Sequence, residues 1–99
     1  EVMRAHPEIL WIVDSVSGTG GTPLQVDDWG IDIAITSTQK CLGLPPGMAF
    51  CTFSDKARAR AEAKVNRGYY FDLLKLSDYA NKKERFTDGR GAGSIDVYG

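Results

Sequence analysis

This sequence lacks the features that mark several large classes of protein. Its 99 residues hold 12 Lys+Arg against 13 Asp+Glu, so it has none of the basic excess that is typical of nucleic-acid-binding domains. No apolar run approaches the roughly 18 residues that a membrane-spanning helix needs. Nor does a basic stretch followed by an apolar one, the pattern of a secretory signal, occur near the amino terminus. We therefore expect neither nucleic acid nor a membrane as a partner.

Cysteine and histidine are also scarce. The two cysteines, Cys41 and Cys51, form no C-x-x-C pair, and the single histidine, His6, is not close to either in sequence. Zinc sites and disulfide frameworks need more of these residues at short, regular spacings. We expect reduced thiols, no metal site and a cytoplasmic protein, with a peroxisomal location as the alternative if the protein is eukaryotic.

What is present is the composition of an ordinary globular domain, 42% hydrophobic and 25% charged. Apolar segments predict three strands, over residues 9–13, 31–35 and 48–53. The first of them, ILWIV, contains no polar residue, which is typical of a strand that is buried on both faces. The loop SVSGTGGTP follows it, with three glycines and a proline.

Helical signals follow the third predicted strand. Ser54 is a suitable N-cap and Gly68 a suitable residue just beyond the end, so we predict a helix over 54–66. The segment 69–86 predicts a loop, a short helical stretch and then exposed chain. Residues 89–99 are rich in glycine and poor in apolar residues, so we predict a flexible or foreign tail there.

Two residues that carry chemistry follow the first two predicted strands. Asp14 comes directly after ILWIV, and Lys40 follows the polar end of the second strand. Ligands of open α/β sheets bind at the carboxyl ends of the strands, so both side chains could face one small molecule. An Asp that caps a loop and a solvated Lys explain the same pattern, and spacing alone leaves both interpretations open.

A more specific signal surrounds the lysine. The run IDIAITSTQK over residues 31–40, followed by CLGLPPGMAFC, resembles the cofactor-lysine signature of the class V aminotransferases. These are pyridoxal-phosphate (PLP) enzymes that include alanine–glyoxylate and serine–pyruvate aminotransferases. The upstream stretch VDSVSGTGGTPLQVDDWGID resembles the part of the family that supplies an aspartate to the pyridine nitrogen. The resemblance covers roughly Ile9 to Phe71.

The resemblance implies a role for each matching residue. Lys40 would form the Schiff base with PLP and then move the substrate's α-proton, and Asp14 would hold the pyridine nitrogen protonated. Because a neutral amine is the reactive form, we expect Lys40 to be partly buried. Gln39 would bind the cofactor phosphate, with a loop amide as the alternative. Val16 would pack on the ring, with an ordinary core residue as the alternative.

The fold that the resemblance implies is α/β: a fragment of the PLP-dependent transferase large domain over residues 1–88, about three strands with flanking helices. The implied reaction moves an amino group from a small amino acid, such as alanine or serine, to a 2-oxo acid such as glyoxylate or pyruvate. The family's phosphate loop, ring-stacking aromatic residue and substrate arginine have no counterpart here. We therefore expect an internal fragment of a homodimeric enzyme that is inactive alone. The alternative is a non-catalytic folded fragment that self-associates through exposed strands.

Overall fold

The structure, a computed structural model, describes residues 1–81. The described chain divides into two compact units, Glu1–Ala57 and a second unit that begins at Arg58. The tail predicted over 89–99, and with it the end of the domain predicted over 1–88, lies outside the described residues. In chain order the elements are a 3₁₀ helix at Val2–Ala5, β1 at Ile12–Asp14, α1 at Val26–Trp29, β2 at Ile33–Ser37, β3 at Ala49–Phe53, α2 at Asp55–Glu62 and α3 at Leu73–Asn81.

The three strands form one mixed sheet with β2 in the centre. β1 runs parallel to β2, with Ile12 opposite Ile33, and β3 runs antiparallel to β2, with Phe53 opposite Ile33. This arrangement confirms the predicted α/β class and the prediction of three strands. Because β1 and β2 are parallel neighbours, the segments that follow Asp14 and Ser37 leave the sheet at the same edge.

The first predicted strand is shorter and more exposed than its sequence indicates. β1 begins at Ile12, and the Trp11 carbonyl just before it accepts hydrogen bonds from the backbone N–H groups of Asp32 and Ile33, at 2.9 and 3.1 Å, where β2 starts. Ile12 is 57% exposed, so the prediction of a strand buried on both faces is wrong for the described residues. The Ile12 side chain stands on the same face of the sheet as Ile35, which is also exposed in the described chain.

The two faces of β2 differ in burial. Ala34 and Thr36 are buried on one face, and Thr38, just beyond the strand, is fully buried. On the other face Ile35 is 37% exposed and Cys51, its partner on β3, is half-buried. The sheet therefore has one covered face and one partly open apolar face within the described chain.

Helix α2 confirms the predicted start but not the predicted end. The Ser54 hydroxyl accepts a hydrogen bond from the backbone N–H of Ala57 at 3.1 Å, as an N-cap does. The helix stops at Glu62, and Val65, which lies within the predicted helix, is completely exposed. A third turn would bury no apolar surface at Val65, and helix propensity alone rarely sustains such a turn.

The second unit contains a short helix where the sequence predicts one. Before α3, the buried carboxylate of Asp72 accepts a hydrogen bond from the backbone N–H of Leu74 at 3.0 Å and pairs with Arg67 at 3.2 Å. Burial alone would raise the pKa of Asp72, but these contacts together hold its pKa below the usual value. Among residues 1–81, no helix combines the length and the apolar character needed to span a bilayer.

Candidate functional site

Two segments meet at the carboxyl edge of β1 and β2. We call residues 14–22 the Asp14 loop and residues 38–43 the Lys40 turn. The Asp14 loop is tied to β2, because the backbone N–H of Ser15 donates to the carbonyl of Ile35 at 2.9 Å. The Lys40 turn touches the same loop through Cys41, whose thiol donates to the carbonyl of Ser17 at 3.2 Å. The fold therefore brings together the segments that carry the four residues singled out in the sequence.

Asp14 and Val16 form the start of the Asp14 loop. Asp14 is exposed, and its Oδ1 accepts a hydrogen bond from the backbone N–H of Val16 at 3.1 Å. This contact is the loop cap that the sequence left open as an alternative. It occupies one carboxylate oxygen, while Oδ2 has no partner among the described residues, so the carboxylate retains capacity to bind a ligand. Val16 itself is half-buried.

Lys40 and Gln39 lie in the Lys40 turn with both side chains exposed. Neither side chain forms a hydrogen bond or an ion pair within residues 1–81, and Lys40 does not pair with Asp14. Residues 1–81 therefore do not supply the partial burial expected for Lys40, and that expectation stays a prediction for the parts of the protein beyond them. An amine without a partner is nevertheless available for chemistry, because no hydrogen bond has to be broken before it reacts.

Thr38 fixes the Lys40 turn, a role that the sequence did not indicate. Its side chain is fully buried, and its hydroxyl donates to the carbonyl of Pro45. Its backbone N–H donates to Met48 at 3.1 Å, and its carbonyl accepts from Leu44 at 3.0 Å. These bonds close the loop between β2 and β3, so the backbone two residues before Lys40 is held firmly.

Ser37 adds an unsatisfied polar group at the end of β2. Its Oγ is buried and has no hydrogen-bond partner within the described residues. Buried hydroxyl groups are nearly always hydrogen-bonded in folded proteins, so one without a partner commonly marks a place for a water or a ligand. The position of Ser37, three residues before Lys40, makes this group part of the same edge of the sheet.

A groove of about 180 Å³ lies beside this edge but does not include any of the predicted site residues. It is lined by hydroxyl and apolar side chains on the covered face of the sheet, among them Ser15, Thr36 and Phe50. The predicted residues therefore lie on an open surface next to the groove. Within residues 1–81 there is no group of three or more His, Cys, Asp or Glu side chains that could hold a metal ion.

A second Asp and Lys pair lies at the opposite end of β2 and was missed by the sequence reasoning. The carboxylate of Asp32 is buried and accepts hydrogen bonds from the backbone N–H of Trp11 and the Ser54 hydroxyl, both at 2.8 Å. It also pairs with the Lys56 ammonium at 2.9 Å. The available signal was an acidic residue between the apolar residues Ile31 and Ile33, a position where a charge needs partners.

The electrostatics of Asp32 follow from these contacts. Burial alone would raise the pKa of its carboxyl group, because water no longer solvates the charge. The hydrogen bonds from Trp11, Lys56 and Ser54, together with the positive charge of Lys56, outweigh burial and lower the pKa below 3.8. Asp32 therefore stays ionised at neutral pH and ties the segment before β1 to the start of α2.

Both the sequence and the fold of this chain are similar to those of known proteins. The sequence model of the family described as aminotransferase class-V matches residues 1–95. An L-aspartate–glyoxylate aminotransferase of Paracoccus denitrificans is 43% identical over 83 residues, which cover 83% of this chain and 21% of that protein. An (S)-ureidoglycine–glyoxylate transaminase of Bacillus subtilis is 38% identical over 96 residues, covering 77% of this chain and 23% of that protein.

A solved structure shows the same fold. The crystal structure of an alanine–glyoxylate aminotransferase from Nostoc sp. superposes with a TM-score of 0.75 at 31% identity, over 83% of this chain and 23% of that one. The chain thus spans about a fifth of the length of the relatives it matches. The similarity concerns the sheet and its loops, and most of each relative has no counterpart here.

Proposed function

This chain belongs to the class V aminotransferases, and we propose that the complete protein that contains it, called the parent protein below, is a PLP-dependent aminotransferase. We propose that it moves the amino group of a small amino acid, such as alanine or serine, to a 2-oxo acid, with glyoxylate as the preferred acceptor. The names of the three relatives described above share glyoxylate, which supports this choice. We further propose a homodimer, as the family resemblance implies.

The observation that supports this proposal most strongly is the meeting of the Asp14 loop and the Lys40 turn. Contact between Cys41 and Ser17 brings an exposed carboxylate and an exposed amine to one edge of the sheet, and neither is neutralised by an ion pair within the described residues. The buried Ser37 hydroxyl without a partner lies at the same edge. A lysine that can bond covalently, a carboxylate that can accept a hydrogen bond and a hydroxyl without a partner are side chains that suit PLP.

Each residue then has a stated task. Lys40 Nζ, in its neutral form, would bind the aldehyde carbon of PLP, and when the substrate amine displaces it, Nζ would accept the proton from the substrate Cα. Asp14 would accept a hydrogen bond from the protonated pyridine nitrogen. Gln39 would donate its side-chain amide to the phosphate, and Val16 would contact one face of the ring. Bound PLP supplies an electron-accepting ring that stabilises negative charge at the substrate Cα.

Covalent capture of PLP in the parent protein tests the proposal. The protein is incubated with PLP, the visible absorption of the bound cofactor is recorded, and the adduct is reduced with borohydride and located by mass spectrometry. We expect the adduct on Lys40, and we expect Lys40→Ala to lose both the visible band and the conversion of alanine and glyoxylate to pyruvate and glycine. Lys64→Ala, which removes another exposed amine, is the matched control and should keep both.

A Lys40→Ala protein that keeps the visible band, or an adduct on another lysine, would contradict the assignment. The described residues include no arginine at this edge that could bind a substrate carboxylate, so we propose that residues 1–99 alone do not catalyse transamination. Conversion of alanine and glyoxylate by this chain, lost in Lys40→Ala, would contradict that part of the proposal.

A second candidate function is self-association of this chain as a non-catalytic folded fragment. The observation that favours it is the open apolar surface of the sheet, where Ile12 is 57% exposed and Ile35 is 37% exposed. Size-exclusion chromatography with light scattering measures the association state directly. A dimer or larger species that Ile12→Lys converts to monomer supports this function, whereas a monomeric wild-type chain contradicts it.

A further inference from the structure

We infer that Gly21 and Cys41 are positioning residues that set where the Lys40 amine stands relative to Asp14, a role that rests on the function proposed above. Neither residue was given a role by its sequence pattern. Both lie where the Asp14 loop contacts the Lys40 turn.

The approach at Gly21 leaves no room for a side chain. A Cβ atom placed on Gly21 would lie 2.5 Å from Cys41 Sγ and 3.3 Å from Cys41 Cβ. The backbone of Gly21 does not have a positive φ, so its conformation would accept alanine. The need for glycine at this position therefore comes from the Cys41 side chain and not from backbone strain.

Gly18 provides the contrast within the same loop. A Cβ atom on Gly18 would meet its nearest neighbour, Thr22 Oγ1, at 3.5 Å, which is an ordinary van der Waals contact, and Gly18 also lacks a positive φ. Alanine should therefore fit at Gly18 without moving its surroundings. Gly21, three residues after Gly18, is the one of the two that lies against the Lys40 turn.

Both segments are hydrogen-bonded at this contact, so Cys41 Sγ moves away from Gly21 at the cost of its bond to Ser17. On the loop side, Gly21 donates its backbone N–H to Gly18 at 3.0 Å. On the turn side, Thr38 is fully buried and bonded to the Pro45 carbonyl, while the Cys41 thiol bonds Ser17. A methyl group on Gly21 must displace Cys41 by about 0.9 Å to reach ordinary contact.

That displacement acts on the proposed catalytic amine through one peptide bond, because Cys41 directly follows Lys40. A reacting group that is misplaced by about 1 Å can lose roughly 100-fold in rate. We expect a loss of this kind in kcat, because the proposed role of Gly21 and Cys41 is to place the amine and not to bind the substrate. A purely structural role for Gly21 would instead lower stability and leave kcat of the folded protein unchanged.

The experiment compares three variants of the parent protein at saturating PLP. We expect Gly21→Ala to lower kcat by about 100-fold with KM little changed, and to alter the pH dependence of the bound-cofactor absorption. Gly18→Ala is the matched control and should retain wild-type kcat. Adding Cys41→Ala to Gly21→Ala removes the 2.5 Å contact and leaves one of 3.3 Å, so the double variant should recover part of the lost kcat, the rest being lost with the thiol bond to Ser17.

A second measurement tests the contact between Gly21 and Cys41 in the 99-residue chain without any cofactor. In a Cys51→Ala background, Cys41 is the one thiol in the chain, and its rate of reaction with a disulfide reagent reports whether Sγ keeps its place beside Ser17. Gly21→Ala should raise this rate, and Gly18→Ala should not. If wild-type parent protein forms no adduct on Lys40, the proposed function fails while the thiol measurement still tests the packing.

Wild-type kcat in folded Gly21→Ala, or failure of Cys41→Ala to restore kcat, would overturn the inference. If Gly21→Ala does not fold, Cys41→Val enlarges the same contact from the turn side. We expect this variant to lower kcat as well. A folded Cys41→Val protein with unchanged kcat would equally overturn the inference.

Discussion

The two ends of β2 carry the same residue types in opposite circumstances. Before the strand, Asp32 is buried and pairs with Lys56 at 2.9 Å, and two further donors complete its hydrogen bonds. At the other end, Asp14, the last residue of β1, and Lys40, which follows β2, are exposed and are not paired with each other. Asp32 and Lys56 thus bind each other, whereas Asp14 and Lys40 remain able to bind a ligand.

This difference separates a structural pair from a candidate catalytic one. A buried carboxylate with three donors is stabilised as the ion, and removing any partner leaves an unsatisfied charge. A carboxylate with one unbonded oxygen and an amine with no partner keep most of their hydrogen-bonding and ion-pairing capacity in the folded chain. A ligand can therefore bind to them. The sequence shows all four charged residues. Their partners in the structure are what distinguish the structural pair from the candidate catalytic residues.

The largest expected effect comes from Asp14. In the parent protein, Asp14→Asn should lower kcat by about 100-fold or more, because a neutral amide no longer stabilises a protonated pyridine nitrogen. Stability should change little, since Asp14 is exposed and an asparagine oxygen can accept the same bond from Val16. Steady-state kinetics and urea unfolding measure the two quantities. Equal kcat in both proteins would remove Asp14 from the site.

Asp32→Asn should show the reverse pattern, with a smaller effect that falls on stability. The amide cannot form the ion pair with Lys56, and we expect the free energy of unfolding of this chain to fall by about 2 kcal/mol. Urea unfolding at neutral pH measures the loss, and Asp28→Asn, at an exposed position in α1, is the matched control. An unfolding free energy equal to that of the wild type would show that the Asp32 contacts contribute nothing.

The stability of Asp32→Asn should also depend on pH differently from that of the wild type. Since the pKa of Asp32 is lower in the folded chain than its ordinary value of 3.8, the unfolded chain binds its proton first as pH falls. The wild type should therefore lose stability as pH drops through 3.8 toward the folded pKa, and Asp32→Asn should lack this component. Identical acid-side slopes for the two proteins would contradict the pKa assignment.

Much of the local structure was predictable from the sequence, because it depends on neighbouring residues. The apolar segments near Ile12 and Ile33 do form strands, and Ser54 does cap α2, since a hydroxyl next to a helix start needs only the N–H three residues on. The ends of elements were less predictable. α2 stops at Glu62 instead of residue 66, because Val65 has nothing to pack against.

The burial of particular residues was not predictable. ILWIV indicates a strand buried on both faces, yet Ile12 is exposed, because it lies on the partly open face of the described sheet. Lys40 was expected to be partly buried and is exposed in the same way. Burial depends on what packs against a segment in space. An apolar run indicates that the segment is buried, but it does not identify the part of the protein that covers it.

The sequence by itself determined the family, the strand segments and the residues that could carry chemistry, since motifs and apolar patterns are properties of neighbouring positions. Only the tertiary structure decided which Asp and Lys are paired. The partners of Asp32 lie 21, 22 and 24 residues away, and Cys41 reaches Ser17 across 24 residues. Contacts over such separations form only when the sheet brings the segments together, so no local pattern reveals which charges the fold has satisfied.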